Sequence, residues 1–159
     1  LNRDVSNVDH VEILKKLYQS HVYEIDAAIK DLFSILEKHS FLEDSVVIIT
    51  ADHGDEFNEH GGLSHDGKMY SELVQVPLLI YESERKENLI CDKLVSSLDI
   101  APTILKLFDL KPEPNFKGVS LLPINAYSEK GVFGESVDKR GSREKGDEKE
   151  VHYYLALLG

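Results

Sequence analysis

The chain has 159 residues, which is the usual size of one domain. Eighteen Lys and Arg residues against 29 Asp and Glu residues give a formal net charge of −11, so nucleic acid is excluded as a default partner. Hydrophobic residues at 42% and charged residues at 30% are typical of a globular domain, and no stretch approaches the roughly 18 apolar residues of a membrane segment. The single cysteine, Cys91, excludes an internal disulfide framework.

The first predicted element is a helical region over residues 8–39. No proline or glycine interrupts it, so one long helix and two short helices both fit the pattern. Apolar side chains recur in it at three- and four-residue steps and form one stripe: Val22, Ile25, Ile29, Leu32, Phe33 and Leu36.

Buried strands follow the helix. Residues 46–50 form a continuous β-branched run, which is typical of a parallel strand covered by helices on both faces. A helical turn at 70–73 precedes a second buried strand at 76–81, and Pro77 must lie at its start or at an edge. A third strand is predicted at 89–94, with Cys91 as a small core side chain. The pattern indicates an α/β fold with mostly parallel buried strands flanked by helices.

The last third of the chain alternates ordered and polar segments. Asp99 is placed to cap a helix that begins at the Asp-Ile-Ala-Pro sequence. Short strands are predicted at 132–134 and 151–158. Between them, ten of the thirteen residues from 138 to 150 are charged, five of each sign, which predicts a solvated loop.

Residues 52–66 concentrate groups that can ligate a metal. Sites in parallel sheets lie beyond the carboxyl ends of strands, and this segment directly follows the predicted strand 46–50. Imidazole with carboxylate suits Zn, Mn or Fe, whereas oxygen ligands alone suit Ca or Mg. The spacing excludes an EF-hand and a helical two-histidine zinc motif, but an ordinary hydrophilic loop stays open as an alternative. The potential ligands are Asp52, His53, Asp55, Glu56, Glu59, His60, His65 and Asp66.

Four motifs in one order closely resemble the sulfatase family of the alkaline phosphatase superfamily. They are TADHGDEFNEHG at 50–61, MYSELVQVPLLI at 69–80, LDIAPTIL at 98–105 and GVSLL at 118–122. The resemblance covers about residues 45–122 and implies an alkaline-phosphatase-like fold. It also implies hydrolysis of a sulfate, phosphate or phosphonate ester at a divalent metal.

The resemblance assigns roles to particular residues. Asp52 and His53 match the family's metal ligands, which implies one divalent ion, either Ca, Mn, Mg or Zn. The implied partner is a small anionic ester, and His65 and Lys68 are the candidates for binding its anionic group. Many family members place a lysine four residues before the motif tyrosine, where this chain has Asp66. Lys68 is displaced from that position by two residues.

The family's nucleophile motif, Cys/Ser-x-Pro-x-Arg, and its acidic pair have no match in these 159 residues. The resemblance therefore implies that residues 1–159 are the C-terminal part of a longer catalytic domain and carry half of the active site. We expect this chain alone to be inactive and prone to self-association through exposed apolar surface. A phosphodiesterase or phosphonate hydrolase, or a non-catalytic interaction domain that retains the fold, are the alternatives. The compartment stays open.

Overall fold

A computed structural model describes residues 8–65, 68–85, 88–128, 131–138 and 152–158. The chain divides into two compact units, Leu1–Asn88 with Val137–His152 and Leu89–Ser136 with Tyr153–Gly159. Among the described residues, no helix is long and apolar enough to cross a membrane. The regular elements are α1 (Val8–Lys38), β1 (Val46–Thr50), β2 (Glu56–Phe57), β3 (Leu63–Ser64), α2 (Ser71–Val74), β4 (Leu78–Glu82), α3 (Ile100–Leu107), β5 (Val132–Asp138) and β6 (His152–Leu158).

Helix α1 is one continuous helix rather than two. Asp9 in its first turn and Lys38 in its last complement the helix dipole. Its apolar stripe is only partly covered, since Phe33 packs edge-on against Tyr81 of β4 at 5.4 Å between ring centroids, whereas Ile25 is 59% exposed. The aromatic pair of Phe33 and Tyr81 therefore joins this part of the helix to β4.

The expectation of mostly parallel strands is not confirmed, because β1 and β4 pair antiparallel, in register from Val46↔Glu82 to Thr50↔Leu78. Strands β2 and β3 are also antiparallel. The expectation of buried strands is also wrong for β1 and β4, none of whose residues is buried. An apolar run carries no information about the direction of the neighbouring strand. Strand β4 begins directly after Pro77, as a residue without an N–H donor requires.

The strand predicted at 89–94 is wrong. The segment has no regular secondary structure, Ile90 is 86% exposed, and Cys91 is exposed rather than part of the core. The Lys93 ammonium donates to the backbone oxygen of Tyr127 at 2.6 Å, so a side-chain hydrogen bond holds the segment in place. The two late strands are confirmed as β5 and β6, which pair with each other, while the charged loop beyond Asp138 lies outside the described residues.

Asp99 occupies the N-cap position of α3, as the sequence predicts, but its side chain makes no capping hydrogen bond there. It lies in a 3-10 turn, Ser97–Asp99, whose N-cap is Ser96, and its carboxylate completes a capping box by accepting from the Ser96 backbone N–H at 3.0 Å. The same buried carboxylate accepts from the Val119 backbone N–H at 2.8 Å and from the Tyr127 hydroxyl at 3.2 Å. One acid therefore joins three segments of this unit.

Thr103 and Gly118 complete that junction. The fully buried Thr103 hydroxyl donates to the Asp99 backbone oxygen at 2.6 Å and accepts from the Leu121 backbone N–H at 2.9 Å. At Gly118 a Cβ would overlap the backbone oxygen of Leu98, so glycine permits the close approach of these two backbone segments. The motifs at 98–105 and 118–122 thus serve this unit's packing.

Replacing Asp99 by Asn tests this junction. One acceptor oxygen becomes an amide donor that faces existing donors, so we expect the free energy of unfolding to fall by about 2 kcal/mol. Urea unfolding measures the loss, and Asp92→Asn, a change of the same type at an exposed position, is the control. Equal stability of the two variants would contradict the assigned role.

Candidate active site

Asp52 and His53 follow the carboxyl end of β1, and both side chains reach solvent, with 90% and 41% exposure. The Asp52 carboxylate accepts from the His53 backbone N–H at 3.0 Å. The His53 ring nitrogen Nδ1 lies 2.9 Å from the backbone oxygen of Gly54. Because a carbonyl oxygen only accepts, Nδ1 is the donor in this contact, and Nε2 is the nitrogen left for another partner.

The distance between the two side chains is compatible with a shared divalent cation. Nε2 of His53 lies 3.8 Å from Oδ2 of Asp52, which is too long for a hydrogen bond. Two metal–ligand bonds of about 2.0–2.2 Å each can span that separation. The neutral imidazole nitrogen and the carboxylate are the donor types of a zinc or manganese site, and carboxylate oxygens also serve calcium and magnesium.

Gly54 fixes the position of the pair. Its backbone N–H donates to the Leu73 backbone oxygen at 2.8 Å, and a Cβ on Gly54 would overlap the Glu72 backbone oxygen. Only glycine therefore lets the chain after His53 lie against the short helix α2. The first motif and the second motif are joined at this contact.

The hairpin of β2 and β3 brings His65 back to the pair. Its register places Glu56 opposite Ser64, so Asp55 and His65 are the next positions on the two strands. Nδ1 of His65 lies 3.0 Å from Oδ1 of Asp55, and the His65 and His53 rings are 4.0 Å apart at 31°. The structure thus places the predicted anion-binding histidine beside a predicted metal ligand.

Lys68 has a partner inside the loop. Its ammonium donates to Glu56 at 2.9 Å and lies over the Tyr70 ring, 5.5 Å from the centroid. The lysine is partly covered, with 29% of its side chain exposed. A substrate that binds Lys68 would have to share its ammonium group with Glu56.

Glu56 is the residue whose importance the sequence did not single out. It is 1% exposed, and its Oε1 accepts backbone N–H bonds from His60 at 2.9 Å and Gly62 at 2.7 Å. Burial by itself raises the pKa of Glu56, but the hydrogen bonds from Lys68, Gly62 and His60 and the charge of Lys68 outweigh it and leave the pKa lowered. The sequence feature that could have indicated this role is the glycine at position 62, because a Cβ there would overlap the side chains of Glu56 and Lys68.

A second acid–histidine group lies around His60. Nδ1 of His60 is 2.6 Å from Glu72, and its ring stacks on Tyr70 at 3.7 Å and 13°. The described residues contain two groups close enough to hold a cation, one of His53, Asp55 and His65, the other of Glu56, His60 and Glu72. The second group already has Lys68 as the counter-charge of Glu56, so it serves the loop's structure. Asp66 lies outside the described residues.

A family model described as Sulfatase matches residues 14–110. Arylsulfatase K of Mus musculus is 32% identical over 127 residues, which are 79% of this chain and 23% of that protein. The Homo sapiens protein of the same name is 29% identical over 73% of this chain and 22% of its own length. A putative extracellular sulfatase Sulf-1 homolog of Caenorhabditis elegans is 25% identical over 78% of this chain and 18% of its own length. The chain spans less than a quarter of these relatives.

Solved structures give the same fold. The phosphonate monoester hydrolase SpPMH from Silicibacter pomeroyi matches with a TM-score of 0.73 at 22% identity, over 79% of this chain and 26% of that protein. BT4656, solved in complex with its substrate D-glucosamine-2-N,6-O-disulfate, matches with a TM-score of 0.60 at 22% identity, over 86% and 28%. The alkaline-phosphatase-like fold class is confirmed at this level.

The Glu56 carboxylate makes the stability of this unit depend on pH. Because its pKa is lower in the folded chain than its ordinary value of 4.5, the ionised form stabilises the fold above that value. The stabilisation is lost as the pH falls through the lower folded pKa. Glu56→Gln should lower the free energy of unfolding by about 2 kcal/mol at neutral pH. This figure is kept small because Lys68 is partly exposed, so solvent screens its charge.

Urea unfolding at neutral pH and at about pH 3 tests this expectation. The stability difference between the wild type and Glu56→Gln should shrink at the lower pH, whereas Glu84→Gln, at an exposed position, should match the wild type throughout. A difference that does not change with pH would contradict the role of the ionised carboxylate.

Proposed function

The chain belongs to the sulfatase family, and we propose that it supplies half of the active site of a metal-dependent hydrolase of sulfate esters. The observation that carries the proposal is the pair of Asp52 and His53 at the end of β1. Nε2 of His53, the nitrogen not bonded to Gly54, lies 3.8 Å from Oδ2 of Asp52. The substrate would be a small anionic ester.

Asp52 and His53 are the proposed ligands of one divalent ion, and Ca, Mn, Mg and Zn all stay candidates. A bound divalent ion supplies Lewis-acid polarisation of the ester oxygens. The chain's own contribution is to hold the two ligands. The backbone oxygen of Gly54 accepts a hydrogen bond from Nδ1 of His53, which leaves Nε2 as the ligand atom. The backbone contact of Gly54 with Leu73 then fixes where this turn lies.

His65 is the proposed first contact of the substrate's anionic group, because its ring lies against His53. Lys68 is the second candidate, and its pairing with Glu56 makes it a contributor of positive charge at the edge of the loop. Two cationic or hydrogen-bonding groups beside the metal suit a sulfate group, whose oxygens accept hydrogen bonds.

Substituting the ligand pair tests the metal assignment. In the full-length protein, Asp52→Asn and His53→Gln should lower bound metal below one equivalent and reduce kcat/KM for an aryl sulfate about 100-fold or more. Metal content by mass spectrometry and initial rates measure both effects. Asp44→Asn, an exposed acid just before β1, is the matched control. Metal content and rates that survive both substitutions would refute the assignment.

The alternatives differ in what the full-length protein hydrolyses. An aryl sulfate, an aryl phosphonate monoester and a phosphodiester with the same leaving group should be compared by kcat/KM. We expect the sulfate to be preferred. A preference for either phosphorus ester would favour the phosphonate hydrolase or phosphodiesterase, whose fold-level support is the likeness to SpPMH. A protein that binds metal and hydrolyses none of the three would be the interaction domain.

The 159-residue chain by itself should show no turnover, because its sequence has no match to the family's nucleophile motif. Apolar side chains such as Val22, Ile25 and Ile35 of α1 are at least half exposed, so the isolated chain should also self-associate at micromolar concentration. Sedimentation velocity and an aryl sulfate assay measure these properties. Hydrolysis by the isolated chain would refute the half-site proposal, and a monomer at all concentrations would refute self-association.

A further inference from the structure

Asp55 has no role in the function proposed above, yet the hairpin delivers its carboxylate to His65. In an antiparallel pair, the residues that flank a paired position face each other, and Glu56 is paired with Ser64. Asp55 and His65 flank that pair. The last pair of the hairpin therefore brings the two residues near each other, and their side chains meet just beyond its end.

The contact determines which nitrogen of His65 is available. Oδ1 of Asp55 lies 3.0 Å from Nδ1 of His65, and a carboxylate only accepts, so Nδ1 donates and Nε2 is left for another partner. The Ser64 hydroxyl, 3.2 Å from the same nitrogen, adds a second contact at that edge of the ring. His53 is held in the same way by Gly54, and the two rings lie 4.0 Å apart.

We infer that Asp55 is a positioning residue for His65: by accepting from Nδ1 it fixes the ring's orientation, so that Nε2, which carries a proton when it meets an anion, donates to the anionic group of the substrate. The inference rests on the proposed function, in which His65 contacts that group. A histidine without such a partner samples several ring orientations, and each orientation that turns Nε2 away from the anionic group weakens the contact.

A different role for the same residues would be a metal site of His53, Asp55 and His65, whose ligand atoms lie within 4.8 Å of one another. The ring geometry favours the positioning role. Imidazole lone pairs lie in the ring plane, and two rings tilted by only 31° at 4.0 Å direct them side by side rather than toward one cation. The Asp55 oxygen is also already engaged with Nδ1 of His65.

A double-mutant cycle in the full-length, metal-loaded protein tests the inference. Asp55→Asn should lower kcat/KM for an aryl sulfate by about 10- to 100-fold, the size of effect seen when the partner of a functional histidine is removed. The loss should divide between kcat and KM as it does in His65→Gln. Asp55→Glu, which keeps a carboxylate, should recover part of the activity, and Asp44→Asn should match the wild type.

Three results separate positioning from other roles. In the His65→Gln background, Asp55→Asn should change kcat/KM by less than about 2-fold, because residues that act through one another are not additive. A full additional loss there would overturn the inference. Loss of metal in Asp55→Asn, as expected for Asp52→Asn, would also overturn it by making Asp55 a ligand.

The remaining outcomes distinguish this inference from the function on which it rests. If His65→Gln is impaired and Asp55→Asn is not, the positioning role is wrong and the proposed function stands. If His65→Gln itself keeps wild-type kcat/KM, the anion-binding role of His65 is wrong, and the inference falls with it.

Discussion

The buried carboxylate of Glu56 is the interaction on which the candidate site depends. It draws the His60 and Gly62 backbone N–H groups and the Lys68 ammonium to one point, which closes the loop between β2 and α2. A buried carboxylate is stable only when donors replace the water that it has lost, and here three do so. The hairpin that carries Asp55 and His65 is anchored at this point. The loop that carries most of the candidate site residues is therefore held by an acid that is itself buried.

The two units divide the family motifs by purpose. The motifs at 50–61 and 69–80 form the candidate site and the loop that supports it, whereas those at 98–105 and 118–122 form the junction of Asp99, Thr103 and Gly118. Glu56 and Asp99 play similar structural roles, since each is a buried carboxylate that accepts from backbone N–H groups. A motif of the family can thus maintain the packing of its unit.

The sequence was sufficient for features that depend on local pattern. The long helix, strand β1 and the polar segment after it follow from periodicity and from the preference of β-branched residues for strands. Strand direction could not be predicted, because β1 looks alike beside a parallel or an antiparallel neighbour. The prediction of a strand at 89–94 was wrong for a related reason, since a short apolar run does not show whether a partner strand exists. The roles of Glu56 and Asp99 needed the fold, because their hydrogen-bond donors lie up to 28 residues away.

The backbone contact between Gly54 and Leu73 makes the intervening eighteen residues a closed loop whose two ends are pinned to each other. The bonds of Glu56 to His60, Gly62 and Lys68 form a second, separate restraint inside this closed loop. A change that breaks them would release the hairpin together with His65, while Asp52 and His53 would stay where β1 and the pinned ends hold them. The proposed metal ligands and the proposed anion-binding histidine therefore belong to one loop but depend on different contacts.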